Sequence, residues 1–398
     1  MSTVVSVPGA ALAVPFFDQT RSFHHQWPGL SRHLDELGRQ GKWSHGAKVA
    51  ELERALCEWT GARYAIAVNS GTDALVLLLR ACGLRPGDEV LVPAYSFIAS
   101  ASSVVLAGGI PRFVDIDPQT YTVDPDALEA ACTSATRMVM PVHLFCQLAD
   151  MAGVRAVAER QRLTVIEDSA EAIGMRWGGV HAGLLGAGGV LSFFPTKTLG
   201  ALGDAGAILT DDPVVARTAD ALRHHGRFGS TLDNFPGIST ETGISGMNSK
   251  MDDIQACVLL TRLPGLRDDI ARRAQLAAAY TERLTGCPGV LRLPIVVPRS
   301  VRTAPVQYVY LIEVERRDEL AAHLAAARIG TETYYPIPLH LQPCFGDLGY
   351  SRGDFPHAER ASAHALALPL YPDLTLEGVD RVCDAIAAFY RVRTVRHA

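Results

Sequence analysis

Along residues 47–169, short apolar runs alternate with segments whose apolar residues recur at i, i+3 and i+4, the signatures of buried strands and amphipathic helices. The spacing in AKVAELERALCEWTG predicts a helix over 47–60 ended by Gly61 as C-cap, and YAIAVNS at 64–70 reads as a short buried strand. DALVLLLRACGL at 73–84 is a helix, VLVP at 90–93 a strand, VVLAGG at 104–109 a helix end and PRFVDI at 111–116 a strand. The helix over 124–132 has Asp124 as N-cap and Pro125 at its first position. RMVMPVHL at 137–144 is a strand, 150–161 a helix, and LTVIEDS at 163–169 a strand that closes on two acids. Such strands, separated by helices, predict an α/β fold with a mostly parallel sheet covered on both faces. Ligands gather at the carboxyl ends of the strands in sheets of this kind.

The texture changes at 262–284, a long charged helix that links two units. Beyond it, VQYVYLIEV at 306–314, a helix over 318–330 and a terminal helix over 376–392 predict a smaller α/β unit. A chain of 398 residues exceeds the size at which one core stops growing. The expected organisation is a large domain over 1–265, with an N-terminal arm over 1–45, and a small C-terminal domain over 266–398.

Composition narrows the function classes. Hydrophobic residues at 48% and charged ones at 20% fit a globular enzyme. The net charge of -5, with no lysine or arginine run, speaks against nucleic acid as a partner. The N-terminus lacks a basic region, and Pro8 and Pro15 break its apolar stretch, so no signal peptide or membrane span is expected. Eight cysteines without a C-x-x-C pair or metal-ligand spacing point to a reduced, cytoplasmic protein with no metal.

Candidate chemistry begins at LSFFPTKTLGALGDAGAIL, 191–209, where Lys197 stands with no acid within three residues. Its amine either snorkels to water or, poorly solvated, acts as a nucleophile. Ser70, Gly71 and Thr72 sit at a strand-to-helix junction, either as an ordinary N-cap with Thr72 or as a seat for a phosphate on the helix dipole. Asp168 ends an apolar strand, either capping a turn or pairing with a protonated ring nitrogen. Phe97 follows another strand, where an aromatic ring is core by default and a stacking platform otherwise. Together an amine, a ring-nitrogen acid, a phosphate seat and an aromatic platform are the parts needed to hold pyridoxal phosphate.

The motifs carry a resemblance over nearly the whole chain. VNSGTDAL (68–75), PAYSFIAS (93–100), PVHLFCQLADM (141–151), VIEDSAEAIG (165–174), SFFPTKTLGALGDAGA (192–207), GMNSKMDDIQA (246–256), YPIPLHLQP (335–343) and LPLYP (368–372) run in order. In these the sequence resembles the DegT/DnrJ/EryC1/StrS sugar aminotransferases, pyridoxal phosphate enzymes of fold type I. The resemblance implies a seven-stranded, mostly parallel sheet in the large domain. It implies that Lys197 is the Schiff-base lysine, that Asp168 pairs with the pyridine nitrogen and that Phe97 stacks on the ring. Ser192, the Gly71–Thr72 backbone and the Thr72 hydroxyl would hold the phosphate, and Asn248 would reach the phosphate of a neighbouring subunit, implying a homodimer with shared sites. Glu171 replaces the commoner glutamine near the cofactor's phenolic oxygen, Cys146 the commoner glycine and Thr198 the commoner asparagine. Related dehydratases have histidine at the lysine position, and Lys197 argues against that branch.

The implied reaction moves an amino group from an amino acid, L-glutamate, to a nucleotide-linked keto sugar, the cofactor passing through its pyridoxamine form. A cationic ring and partial desolvation should lower the Lys197 pKa so that the amine acts neutral. The stretch over 195–207 most resembles enzymes that aminate dTDP-3-keto-6-deoxyhexoses for antibiotic sugars; a 4-keto sugar or a keto cyclitol is the alternative. Trp43 in the 43–46 loop, Arg223, His225, Tyr335 and His340 are candidate substrate contacts. From other classes, a non-catalytic regulator that binds pyridoxal phosphate or a sugar, and a Rossmann dehydrogenase, stay open. The latter lacks its G-x-G-x-x-G after the first strand.

Overall fold

The computed structural model describes residues 13–44, 46–228, 241–299 and 301–394. The strands of the first part are β1 Tyr64–Val68, β2 Glu89–Pro93, β3 Ile110–Val114, β4 Thr136–Val139, β5 Thr164–Asp168, a hairpin of β6 Arg176–Trp177 and β7 Val180–His181, then β8 Gly188–Ser192 and β9 Gly206–Thr210. All but the hairpin join one seven-stranded sheet in the order β1-β9-β8-β5-β4-β2-β3. Pairings from β8 through β5, β4 and β2 to β3 are parallel. β9 runs antiparallel to both neighbours, and its Gly206 stands opposite Val68.

Alternation along the strands explains why both faces are covered. Ile66, Val68, Val90, Val92, Ile166, Val190 and Ile208 pack into one cluster with Leu75, Leu78 and Leu79 of α3 Gly71–Ala81 and Ala101 and Val104 of α4 Ile98–Leu106. Their neighbours Ala65, Ala67, Leu191, Ala207 and Leu209 turn to the other face and meet Val49, Leu52 and Leu56, residues 47–60 forming a helix as the spacing predicts. Farther along that face, Leu91, Val114, Val139 and Val165 meet Met151, Val154 and Val157.

The second unit is a three-stranded antiparallel sheet in the order β10 Val290–Arg292, β12 Tyr310–Val314, β13 Ala365–Leu368, and the short β11 Thr303–Ala304 pairs instead with the hairpin. Its core joins Leu276, Tyr280 and Leu284 of the helix Leu266–Leu284 to Val379, Val382 and Ile386 of the helix Leu376–Thr394. Val14 of the N-terminal arm bridges to Ile329 of this unit. No described helix is long and apolar enough to cross a membrane.

Candidate active site

The carboxyl ends of β1, β2, β5 and β8 open into one cavity of about 440 Å³, within the roughly 300–1,000 Å³ range of small-molecule pockets. Ser70, Gly71, Thr72, Phe97, Asp168, Glu171, Ser192 and Lys197 all line it, and Tyr308, Tyr334 and Tyr335 close it from the second unit.

At the β1–α3 junction the N-cap is Ser70, not Thr72. Its Oγ accepts from Asp73 N at 3.1 Å, and its carbonyl accepts from Ala74 N. The amides of Gly71 and Thr72 are left at the cavity wall, at the positive end of the helix dipole. Glycine is required there. A Cβ on Gly71 would lie 2.9 Å from Ser192 Cβ, and one on Gly206 would lie 2.6 Å from the Ser70 carbonyl carbon. The tight crossing brings the Ser192 hydroxyl beside the helix start, and that cluster suits an anion.

Consecutive acids at the end of β5 face opposite ways. Glu167 is fully buried away from the cavity and accepts from His143 Nε2 at 2.9 Å and from the amides of Gly183, Leu185 and Gly186. His143 Nδ1 accepts the Ala149 amide, which leaves Nε2 as the donor to Glu167. Asp168 turns inward. Ser100 Oγ donates to its Oδ2 at 2.7 Å and Ala170 N to its Oδ1 at 3.2 Å.

Lys197 sits on the turn after β8 with 16% of its side chain exposed, its Nζ 3.3 Å from Glu171 Oε1 and 4.4 Å from the centre of the Tyr308 ring. Burial pulls the amine's pKa down, but Tyr308, Glu171 and Asp168 outweigh it and hold it above its ordinary value. The sequence argument expects a lowered value. The chain's own side chains do the reverse, so any depression has to come from the cationic ring of a bound cofactor. Burial pushes the Glu171 carboxyl up, against the pull of Lys197 and of the Phe145 amide that donates to Oε2 at 3.1 Å. Phe97 leaves the core and lies 55% exposed over the cavity, 6.2 Å from the Tyr335 ring.

Of the five candidate substrate contacts, Tyr335 alone lines the cavity, and its hydroxyl donates to Glu171 Oε1 at 3.4 Å. Arg223 has another role: it is buried against Glu53 at 2.5 Å, the Ala67 carbonyl at 2.6 Å and Asp220, tying its helix to β1. His340 is also buried, Nε2 on Glu359 at 3.1 Å with Phe355 against its ring. Arg223 finds Glu53 and Ala67 more than 150 residues away, and His340 finds Glu359 on a separate helix. Trp43 and His225 are exposed outside this chain's cavity. So is Asn248, whose Oδ1 accepts from the Lys250 amine. Sequence reasoning missed Ser96, Ser100 and Tyr308; two hydroxyls four residues apart around Phe97 at a helix start were the available signal for the first pair.

The donor set fits pyridoxal phosphate: an anion seat, a buried amine, an exposed ring over the cavity and an inward carboxylate. No His, Cys, Asp and Glu cluster able to hold a metal occurs among the described residues. The family model described as DegT/DnrJ/EryC1/StrS aminotransferase family matches residues 30–387. The chain belongs to this family. It is a transaminase with pyridoxal phosphate as cofactor, and the fold is type I. A Geobacillus stearothermophilus protein named pleiotropic regulatory protein is 40% identical over 95% of this chain and 99% of its own length. The dTDP-3-amino-3,4,6-trideoxy-alpha-D-glucose transaminase of Streptomyces venezuelae is 37% identical over 94% of this chain and 95% of its own. The crystal structure of DesV from S. venezuelae in complex with a ketimine intermediate superimposes with a TM-score of 0.89 at 36% identity, covering 96% of this chain and 99% of that one.

Proposed function

We propose that this aminotransferase moves the amino group of L-glutamate to carbon 3 of a dTDP-linked 3-keto-6-deoxyhexose, working as a homodimer with shared sites. The observation that carries the reading is Lys197, an amine enclosed beside Glu171 and Asp168 at the mouth of an anion seat. The Streptomyces relative named for a 3-amino dTDP sugar supports the substrate.

Pyridoxal phosphate supplies the electron sink that stabilises a carbanion at the substrate carbon. Lys197 is the residue that would hold its aldehyde and then carry the proton between substrate and cofactor. Asp168, held by Ser100 and Ala170, would bond the ring nitrogen and favour its protonated form. Gly71, Thr72 and Ser192 would take the phosphate, Phe97 one face of the ring, and Glu171 the side nearest Lys197. The tyrosines at 308, 334 and 335 line the cavity and would limit the water around a bound substrate.

The substrate is tested in the reverse direction, with 2-oxoglutarate and a panel of nucleotide-linked amino sugars. Deamination of 3-amino dTDP-6-deoxyhexoses at least tenfold faster than 4-amino sugars or amino cyclitols is expected; preference for either of the latter ends the assignment. One relative bears the name of a regulatory protein, and a regulatory role beside the transaminase reaction is the second reading.

Asn248, exposed on its own chain, would reach the partner's phosphate, with Lys250 fixing the amide so that its NH₂ points outward. Mixed dimers of Lys197→Ala and Asn248→Ala subunits should then regain about a quarter to a half of wild-type activity, since one of the two pockets is intact. Activity no higher than that of either parent, in dimers verified by tag pull-down, contradicts sharing.

A further inference from the structure

Behind Asp168 stands a short chain of hydroxyls. Ser100 Oγ lies 2.7 Å from Asp168 Oδ2, and Ser96 Oγ lies 2.7 Å from Ser100 Oγ. Both serines are buried, at 0% and 2% exposure. Ser96 lines the cavity, whereas Ser100 lies behind Asp168 in the first turn of α4.

The direction of each bond follows from valence. An ionised carboxylate only accepts, so Ser100 donates to Asp168. With its one proton committed, Ser100 accepts from its neighbour, and Ser96 is the donor. Serines in helices often bond back to a carbonyl of the preceding turn. Ser100 turns its hydroxyl across to β5 instead, a tie between α4 and the carboxylate end of the strand.

We propose that Ser100 is a positioning residue for amino transfer, orienting the Asp168 carboxylate toward the cofactor's ring nitrogen, with Ser96 polarising Ser100 from the cavity side. The proposal rests on reading Asp168 as the ring-nitrogen partner. A hydroxyl bond to a charged acceptor is stronger than one between neutral groups, and chains of such bonds reinforce one another. Without Ser100 the buried carboxylate loses its closest donor and is free to turn from the ring nitrogen, which weakens the electron sink. Other groups around Asp168 are not tied to Ser100. Glu171 and Lys197 pair with each other, Glu167 faces the opposite side with His143, and Tyr335 bonds Glu171.

The test compares holoenzymes loaded with pyridoxal phosphate or with its 1-deaza analogue, in which carbon replaces the ring nitrogen. Wild type should hold the natural cofactor more tightly than the analogue. Ser100→Ala should weaken natural cofactor binding by about tenfold, the expected scale for a buried acceptor left short of a donor. It should also slow the single-turnover reaction with glutamate to a similar degree and leave analogue binding as in wild type. Ser96→Ala, which keeps the direct bond, should shift the same ratio two- to threefold. Equal weakening of both cofactors in Ser100→Ala means a packing role only and overturns the proposal, as does an unchanged ratio. If Ser100→Ala does not fold, an unchanged ratio in Ser96→Ala overturns it. Asp168→Asn separates the two layers. Should it bind both cofactors with the wild-type ratio, the reading of Asp168 fails; should it lose the preference while Ser100→Ala keeps it, the Ser100 role alone falls.

Discussion

Lys197→Ala is expected to lower amino transfer by roughly four orders of magnitude, the upper end of what a positioned general base contributes, before loss of the covalent tether is counted. The fold should survive, because Lys197 packs on the cavity wall rather than in the core clusters. Its removal takes away the cation that opposes burial at Glu171, so the pKa of that carboxyl rises further. Steady-state turnover of the sugar and circular dichroism provide the check. Borohydride treatment of the wild type should leave a pyridoxyl group on the peptide holding Lys197, and the variant should show none. Turnover within tenfold of wild type would remove the lysine from the chemistry.

Asp168→Asn is the second large effect, a fall of about two to four orders of magnitude in kcat/KM. That corresponds to the roughly 3–5 kcal/mol associated with breaking a buried charge pair. The side chain keeps its size, and its amide oxygen can still accept from Ser100, so a fall in rate with unchanged melting temperature isolates the charge. Kinetics near wild type would mean that the ring nitrogen is served by another group.

Much of the large unit was legible because its chemistry lies at the ends of well-patterned elements. β1, β2 and β5 are continuous apolar runs, and Ser70, Phe97 and Asp168 follow from where those runs stop. β8 and β9 gave no such signal. GGVLS and GAILT carry glycines where backbone crowds backbone: a Cβ on Gly189 would lie 2.3 Å from Gly183 Cα. Periodicity is silent there, and the resemblance supplied the strand count. Arg223 and His340 misled for the opposite reason. Each was a candidate substrate contact, yet Arg223 meets Glu53 170 residues away, a pairing that composition and spacing do not encode. The hydroxyls behind Asp168 were hidden likewise, since their partner lies 68 residues away, at the end of another strand.

The tight crossing at Gly71 and Gly206 also sets an order of events on the growing chain. β1 joins the sheet only through β9, which leaves the ribosome more than a hundred residues later. Until position 210 has emerged, α3 does not have both β8 and β9 to lean on, and the anion seat is incomplete. An anion bound at this seat therefore stabilises only the chain in which β9 has already joined β1.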